Sequence, residues 1–245
     1  MATKLNVSLV SSYDLSANTT DDVGVNNLTN SGISFTGTDI FAADAVLDGV
    51  ADTAEIADVS QTGMDAGTGS FSLEIWAYPA LTTGMFAIGK RGGGGGNDTG
   101  YQIVFGDVAG PKIRFYISDG TDSASMTTTA NYSVNTKYHV VGVVNRTLQL
   151  GYIYVNGSLA ATAVDVTSVD SVSNANPFAI GYHASLASTY YQGQLGRGRL
   201  WVGRALTADE VSTLYNAGSG LTYAQLSQYP LDPASGGKQV ACGVI

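Results

Sequence analysis

The chain has 245 residues and a formal net charge of −9, with a pI near 4.4. Such an acidic surface repels phosphate backbones and anionic bilayers, which excludes nucleic acid and electrostatic membrane docking as partners. Charged residues are only 13%, glycine is abundant at 31 and proline scarce at 5, the profile of short strands joined by tight turns, and the single cysteine, Cys242, excludes an intrachain disulfide.

Met1 to Ser8 contains no apolar run of signal-peptide length, and nowhere do apolar residues reach the ~18 that a membrane span requires. Synthesis in a cytoplasm without a standard leader is the expectation. Phe71, Leu73, Ile75 and Ala77 alternate with Ser72, Glu74, Trp76 and Tyr78. That period of two predicts a strand with the first set in a core and the second on the opposite face. Tyr101, Ile103 and Phe105, then Ile113, Phe115 and Ile117, repeat the pattern around Gly106–Pro111 and predict a hairpin. Leu150–Val155 and Ser158–Thr162 flank Asn156-Gly157, the dipeptide of a two-residue type I′ turn. Thr207-Ala-Asp-Glu210 is a capping box, Val211, Leu214 and Tyr215 form an apolar stripe, and Gly218 fits a helix stop. This lone helix is expected to pack at the edge of a sandwich. Asp232–Gly237 reads as a linker before the apolar Val240-Ala-Cys-Gly-Val-Ile245. We therefore set a domain at 1–220 and a C-terminal extension, 221–245, as an apolar docking tail.

Taken in order, Gly69–Pro79, Tyr138–Val144, Tyr152–Gly157 and Tyr191–Gly218 with its Arg204-Ala-Leu206 resemble laminin-G-like jelly rolls of the concanavalin A-like lectin/glucanase superfamily, of phage-virion type. Leu9–Leu15 and Asp22-Val-Gly24 are similar to the family's opening strand and acidic loop. Leu47-Asp-Gly49 with Glu55–Asp58 resembles the next hairpin, and Phe178–Gly181 and Gly193–Leu195 its closing strands. The resemblance implies an all-β, two-sheet antiparallel jelly-roll sandwich with one short C-terminal helix.

Retaining hydrolysis needs two carboxyl groups about 5 Å apart. Glu74 has Ser72 and Trp76 as its same-face neighbours, and Glu55 and Asp58 fall on opposite strand faces, so no catalytic residues are assigned. His139 and His183, the only histidines, have neither a nucleophile elbow nor metal-ligand spacing. Lys90–Gly100 is glycine-rich, but its lysine precedes the glycines and a strand follows, contrary to a phosphate loop. Asp22, Asp48, Asp119 and Asp122 sit in glycine-containing turns and are the candidate ligands of a structural calcium; no other cofactor is expected. Sugar rings pack their C–H faces on aromatic side chains beside hydrogen-bonding groups. Glu74, Trp76 and Tyr78 on one strand face, and Tyr182, Tyr190 and Tyr191 around one loop, are the candidate glycan contacts.

The resulting expectation is a non-catalytic virion component, as capsid decoration, fibre or tail protein. Its partners would be other virion proteins, copies of itself and host-surface glycans, with neither nucleic acid nor membrane. A carbohydrate-binding adhesion module of a bacterial surface protein, extracellular or cell-surface, is the alternative; a glycoside hydrolase is the second.

Overall fold

The computed structural model of the chain describes residues 3–92, 98–106, 110–183 and 189–229. Its strands are β1 (Leu9–Tyr13), β2 (Thr29–Ser31), β3 (Ser34–Gly37), β4 (Asp44–Asp48), β5 (Thr53–Ile56), β6 (Phe71–Pro79), β7 (Met85–Arg91), β8 (Gly100–Phe105), β9 (Ile113–Ser118), β10 (Ser123–Thr127), β11 (Tyr138–Asn145), β12 (Leu150–Val155), β13 (Ser158–Leu159), β14 (Val164–Asp165), β15 (Phe178–Ile180) and β16 (Gln192–Val202). Two helices follow, α1 (Ala208–Tyr215) and α2 (Tyr223–Leu226).

All strand pairings among the described residues are antiparallel. One sheet runs β13-β12-β11-β6-β16-β4-β3, with β1 also on β16 and β14 on β12; the other runs β10-β9-β8-β7-β15-β5-β2. The two form the expected sandwich. β6 sends Phe71, Leu73, Ile75 and Ala77 inward against Tyr101, Ile103, Phe105, Ile113, Phe115 and Ile117, as its alternation requires. Gly142 on β11 leaves room for the Phe115 ring, since a Cβ there would lie 2.2 Å from it. Asn156 and Gly157 have φ of 50° and 77°, the left-handed pair of a type I′ turn.

The expected hairpin of residues 47–58 is not one. β4 belongs to the first sheet and β5 to the second, so the turn between them crosses the sandwich. It is closed by Asp48 and Asp52: Asp48 Oδ1 accepts the Val50 and Ala51 amides, and Asp52 Oδ2 accepts that of Asp48. A local sequence signal marks the turn but cannot say which sheet each arm joins.

α1 reaches its expected place at the sandwich edge, against β13, and extends from there onto the sheet face. Thr207 and Glu210 form the reciprocal capping box, but the helix ends on Asn216 at φ 46°, ahead of Gly218. It lies across the outer face of the first sheet, where Val211 and Leu214 join Val141, Val143, Trp201 and Leu206 in a second apolar cluster. Leu221 and Leu226 are buried in the same cluster, so residues 221–229 pack on the body and the boundary drawn at 220 falls inside it. The rest of the predicted tail, with Val240, Cys242, Val244 and Ile245, lies outside the described residues, as does 93–97 of the glycine run.

Candidate functional site

β6 presents Ser72, Glu74, Trp76 and Tyr78 on its outer face, and the covering helices divide that row. Register places Arg199 of β16 across from Glu74, and His139 of β11 across from Trp76. Arg199 Nη1 donates to both Glu74 oxygens at 3.2 and 3.1 Å, and His139 Nε2 meets Oε1 at 3.0 Å. Arg199 also donates from Nη2 to the Leu221 carbonyl and from Nε to Ser12 Oγ at 3.3 Å. Burial alone would raise the Glu74 pKa; the Arg199 charge, then His139, overcome it and hold the carboxyl below its ordinary range. Trp76 is enclosed by the rings of His139 at 4.7 Å, Phe41 at 5.1 Å and Tyr215 at 5.9 Å.

Glu74 and Trp76 are therefore completely buried, as is Tyr191, whose ring faces Phe105 in the core. None of the three offers a surface to a glycan, which corrects their assignment. Alternation along β6 gives two faces, but it does not reveal that helices lying beyond β16 in the chain seal part of one of them. Lys90 is buried as well and donates to Asp58 and to the Asn176 carbonyl, a structural lysine at the rim of the sandwich.

Past Trp76 none of the described helices covers the outer face. Val46 on β4, Gln194 on β16 and Tyr78 on β6 form one row across three strands, with Gln192 beside them. These residues, with Asp39 and Asn135 on the rim, line a cleft of about 400 Å³. Tyr78, Gln192 and Gln194 are half-buried, while Asp39 and Asn135 are exposed. Gln194 is fixed in orientation, because Nε2 donates to Asp39 Oδ2 while Oε1 accepts the Asp39 amide at 3.0 Å. Gly193 has φ 134°, and a Cβ there would lie 2.2 Å from the Tyr78 carbonyl, so only glycine lets β16 run this close to β6. The Asn135 amide donates to the Pro79 carbonyl at 2.8 Å and pins the rim loop. An aromatic side chain bordered by three neutral amides and a carboxylate can take the C–H face of a sugar ring and bond its hydroxyls as donors or acceptors.

Sequence reasoning found Tyr78 alone in this groove. Gln192 and Gln194 carried a usable signal, a polar i, i+2 pair on a closing strand. Asp39 carried none, since it reaches Gln194 across 155 residues. Tyr182 and Tyr190 are brought together elsewhere, their rings stacked at 5.8 Å and 18°, with the Tyr182 hydroxyl donating to Glu55 Oε2. Burial, then that bond, push the Tyr182 hydroxyl well above its ordinary pKa.

The four candidate calcium ligands do not converge. Asp22 Oδ2 accepts from Ser12 Oγ at 3.0 Å, in a loop organised by Asp21, whose carboxylate accepts the amides of Ser12, Val23 and Asn26. Asp48 closes the crossover turn, and the Val50 and Ala51 amides hold its carboxyl below the usual range. Asp119 Oδ1 accepts the Thr121 and Asp122 amides, each at 2.7 Å, in a third place. Among the described residues no three His, Cys, Asp or Glu side chains are grouped to hold a metal ion.

Residues 48–212 match the Laminin_G_3 family model, described as the concanavalin A-like lectin/glucanases superfamily. No curated protein matches the chain in sequence. Among solved structures it is similar to the binding domain of Paraclostridial Mosquitocidal Protein 1, at 18% identity and TM-score 0.68 over 87% of this chain and 53% of that one. It is similar to domain 4 of AbnA, a GH43 extracellular arabinanase from Geobacillus stearothermophilus in complex with arabinotriose, at 18% identity and TM-score 0.60 over 84% and 97%. A third is the botulinum neurotoxin serotype D ligand binding domain in complex with N-acetylneuraminic acid, at 14% identity and TM-score 0.64 over 86% and 51%. The chain spans about half the length of these toxin domains. At such identities the likeness establishes the fold.

Proposed function

The chain belongs to the concanavalin A-like lectin/glucanase superfamily, and from that premise we propose that it is a non-catalytic carbohydrate-recognition domain whose ligand lies in the groove at Tyr78. The observation that carries this reading is the end of the outer sheet face past Trp76, where a half-buried Tyr78 is bordered by oriented amide and carboxylate groups. Glu74 supports the non-catalytic part, because a carboxylate sealed from solvent and held by an arginine cannot protonate a glycosidic oxygen. The arabinotriose and N-acetylneuraminic acid complexes of similar folds support the ligand class. The test is a glycan array probed with the full chain and with Tyr78→Ala. The expected result is a defined set of bound glycans lost in the variant; equal binding by both proteins would remove the groove from the reading.

The setting we propose for this recognition is a virion, as capsid decoration, fibre or tail component. The acidic composition and the apolar segment 240–245 support it. Deleting residues 232–245 should leave an all-β far-UV spectrum while reducing self-association or incorporation into particles; undiminished assembly would remove this setting and leave the groove unaffected.

A further inference from the structure

The outer face of the second sheet holds a cavity unconnected with the groove at Tyr78. Register aligns Gly89, Gln102 and Tyr116 in one row across β7, β8 and β9, and Phe86, Val104 and Arg114 in an adjoining row. Their strand neighbours Tyr101, Ile103, Ile113 and Phe115 are in the core, so both rows face away from it. Between them lies a cavity of about 170 Å³, to which Arg91 and His183 also contribute.

Gln102 is only 2% exposed, and its Oε1 has no hydrogen-bond partner. A buried amide oxygen in that state is destabilising until a donor reaches it. Around it, Arg91 and Arg114 place their guanidinium carbons 4.2 and 4.9 Å from the centre of the same Tyr116 ring, which fixes both groups. Arg91 is further held by Asp98, its Nη2 lying 3.1 Å from Oδ2. A guanidinium carries five N–H donors in a planar fork, so it can serve a protein neighbour and a ligand carboxylate together. Phe86 and Val104 supply the apolar wall. Two arginines thus bring guanidinium donors to one small cavity, with the Asp98 carboxylate balancing the charge of Arg91.

We infer that this cavity is a second binding site, for an acidic monosaccharide: the arginines take its carboxylate, Gln102 Oε1 accepts one of its hydroxyls, and the apolar wall packs on its ring. The volume suits a single sugar unit. Inorganic phosphate fits less well, because it has no apolar face to pack on Phe86 and Val104.

The test is calorimetric titration in the Tyr78→Ala background, which takes the groove out of the measurement, with D-galacturonate, D-galactose and acetate as probes. Galacturonate is expected to bind, with galactose and acetate each at least tenfold weaker, since one lacks the carboxylate and the other the hydroxyls. Adding Gln102→Leu or Arg114→Gln should weaken galacturonate at least tenfold. Gln102→Glu keeps the size of the side chain but opposes the carboxylate, and it decides the matter if the leucine variant fails to fold. Absence of galacturonate binding, binding no tighter than that of galactose, or undiminished binding in the folded Gln102 variant would overturn the inference.

Discussion

Replacing Arg199 by methionine should be among the most damaging single changes in the outer-face cluster. Glu74 and Arg199 have 0% and 1% exposed side chains, so the substitution strands a buried carboxylate. Removing one partner of such a pair costs about 3–5 kcal/mol. The His139 contact at 3.0 Å remains and favours the lower end of that range. The Leu221 carbonyl, however, loses its donor, which adds about 1 kcal/mol. A total near 4 kcal/mol corresponds to a fall in Tm of roughly 10 °C for a chain of this size. Urea titration followed by far-UV circular dichroism measures it. Because the cost is the stranded charge, Glu74→Gln in the Arg199→Met background should recover about half of the loss. A loss below about 1 kcal/mol for Arg199→Met, or a double variant less stable than the single one, would refute the buried-pair account.

The same network sets an acid limit. Since the folded-state Glu74 pKa is depressed, its contribution is present above the unfolded value and is lost as pH falls through the folded one. The stability advantage of the native protein over Glu74→Gln should therefore shrink as the pH drops below about 4.3, the ordinary glutamate value; denaturant titrations across that range check it. Asp22 and Asp44, whose pKa values burial raises, act in the opposite sense in both proteins, so the difference isolates Glu74. In the core, Gly142→Ala should cost about 1–3 kcal/mol by driving a methyl group into Phe115. Phe115→Leu added to it should restore part of that, as read by thermal unfolding.

Much of the sandwich was legible because its signals are local. The two faces of β6, the Asn156-Gly157 turn and the Thr207 capping box each depend on residues within a few positions of one another. What escaped depends on partners far away in the chain. Glu74 lies 125 residues from Arg199, and nothing near either position announces the pair. The crossover at Asp48 reads as a hairpin because turn chemistry is the same whether the next strand joins its neighbour or the opposite sheet. Of the groove only Tyr78 was visible, for the same reason: it stands out as an aromatic, whereas Asp39, Asn135, Gln192 and Gln194 become a site only when β16 runs beside β6.

The central claim, that a glycan sits against Tyr78, is tested most directly by amide chemical-shift mapping during titration with the best-bound member of the glycan array. The shifts should concentrate on Asp39, Tyr78, Asn135, Gln192 and Gln194, with the Tyr78 ring protons moving upfield or downfield as a sugar face stacks on them. Shifts centred instead on Tyr182 and Tyr190, with those five residues unmoved, would contradict it.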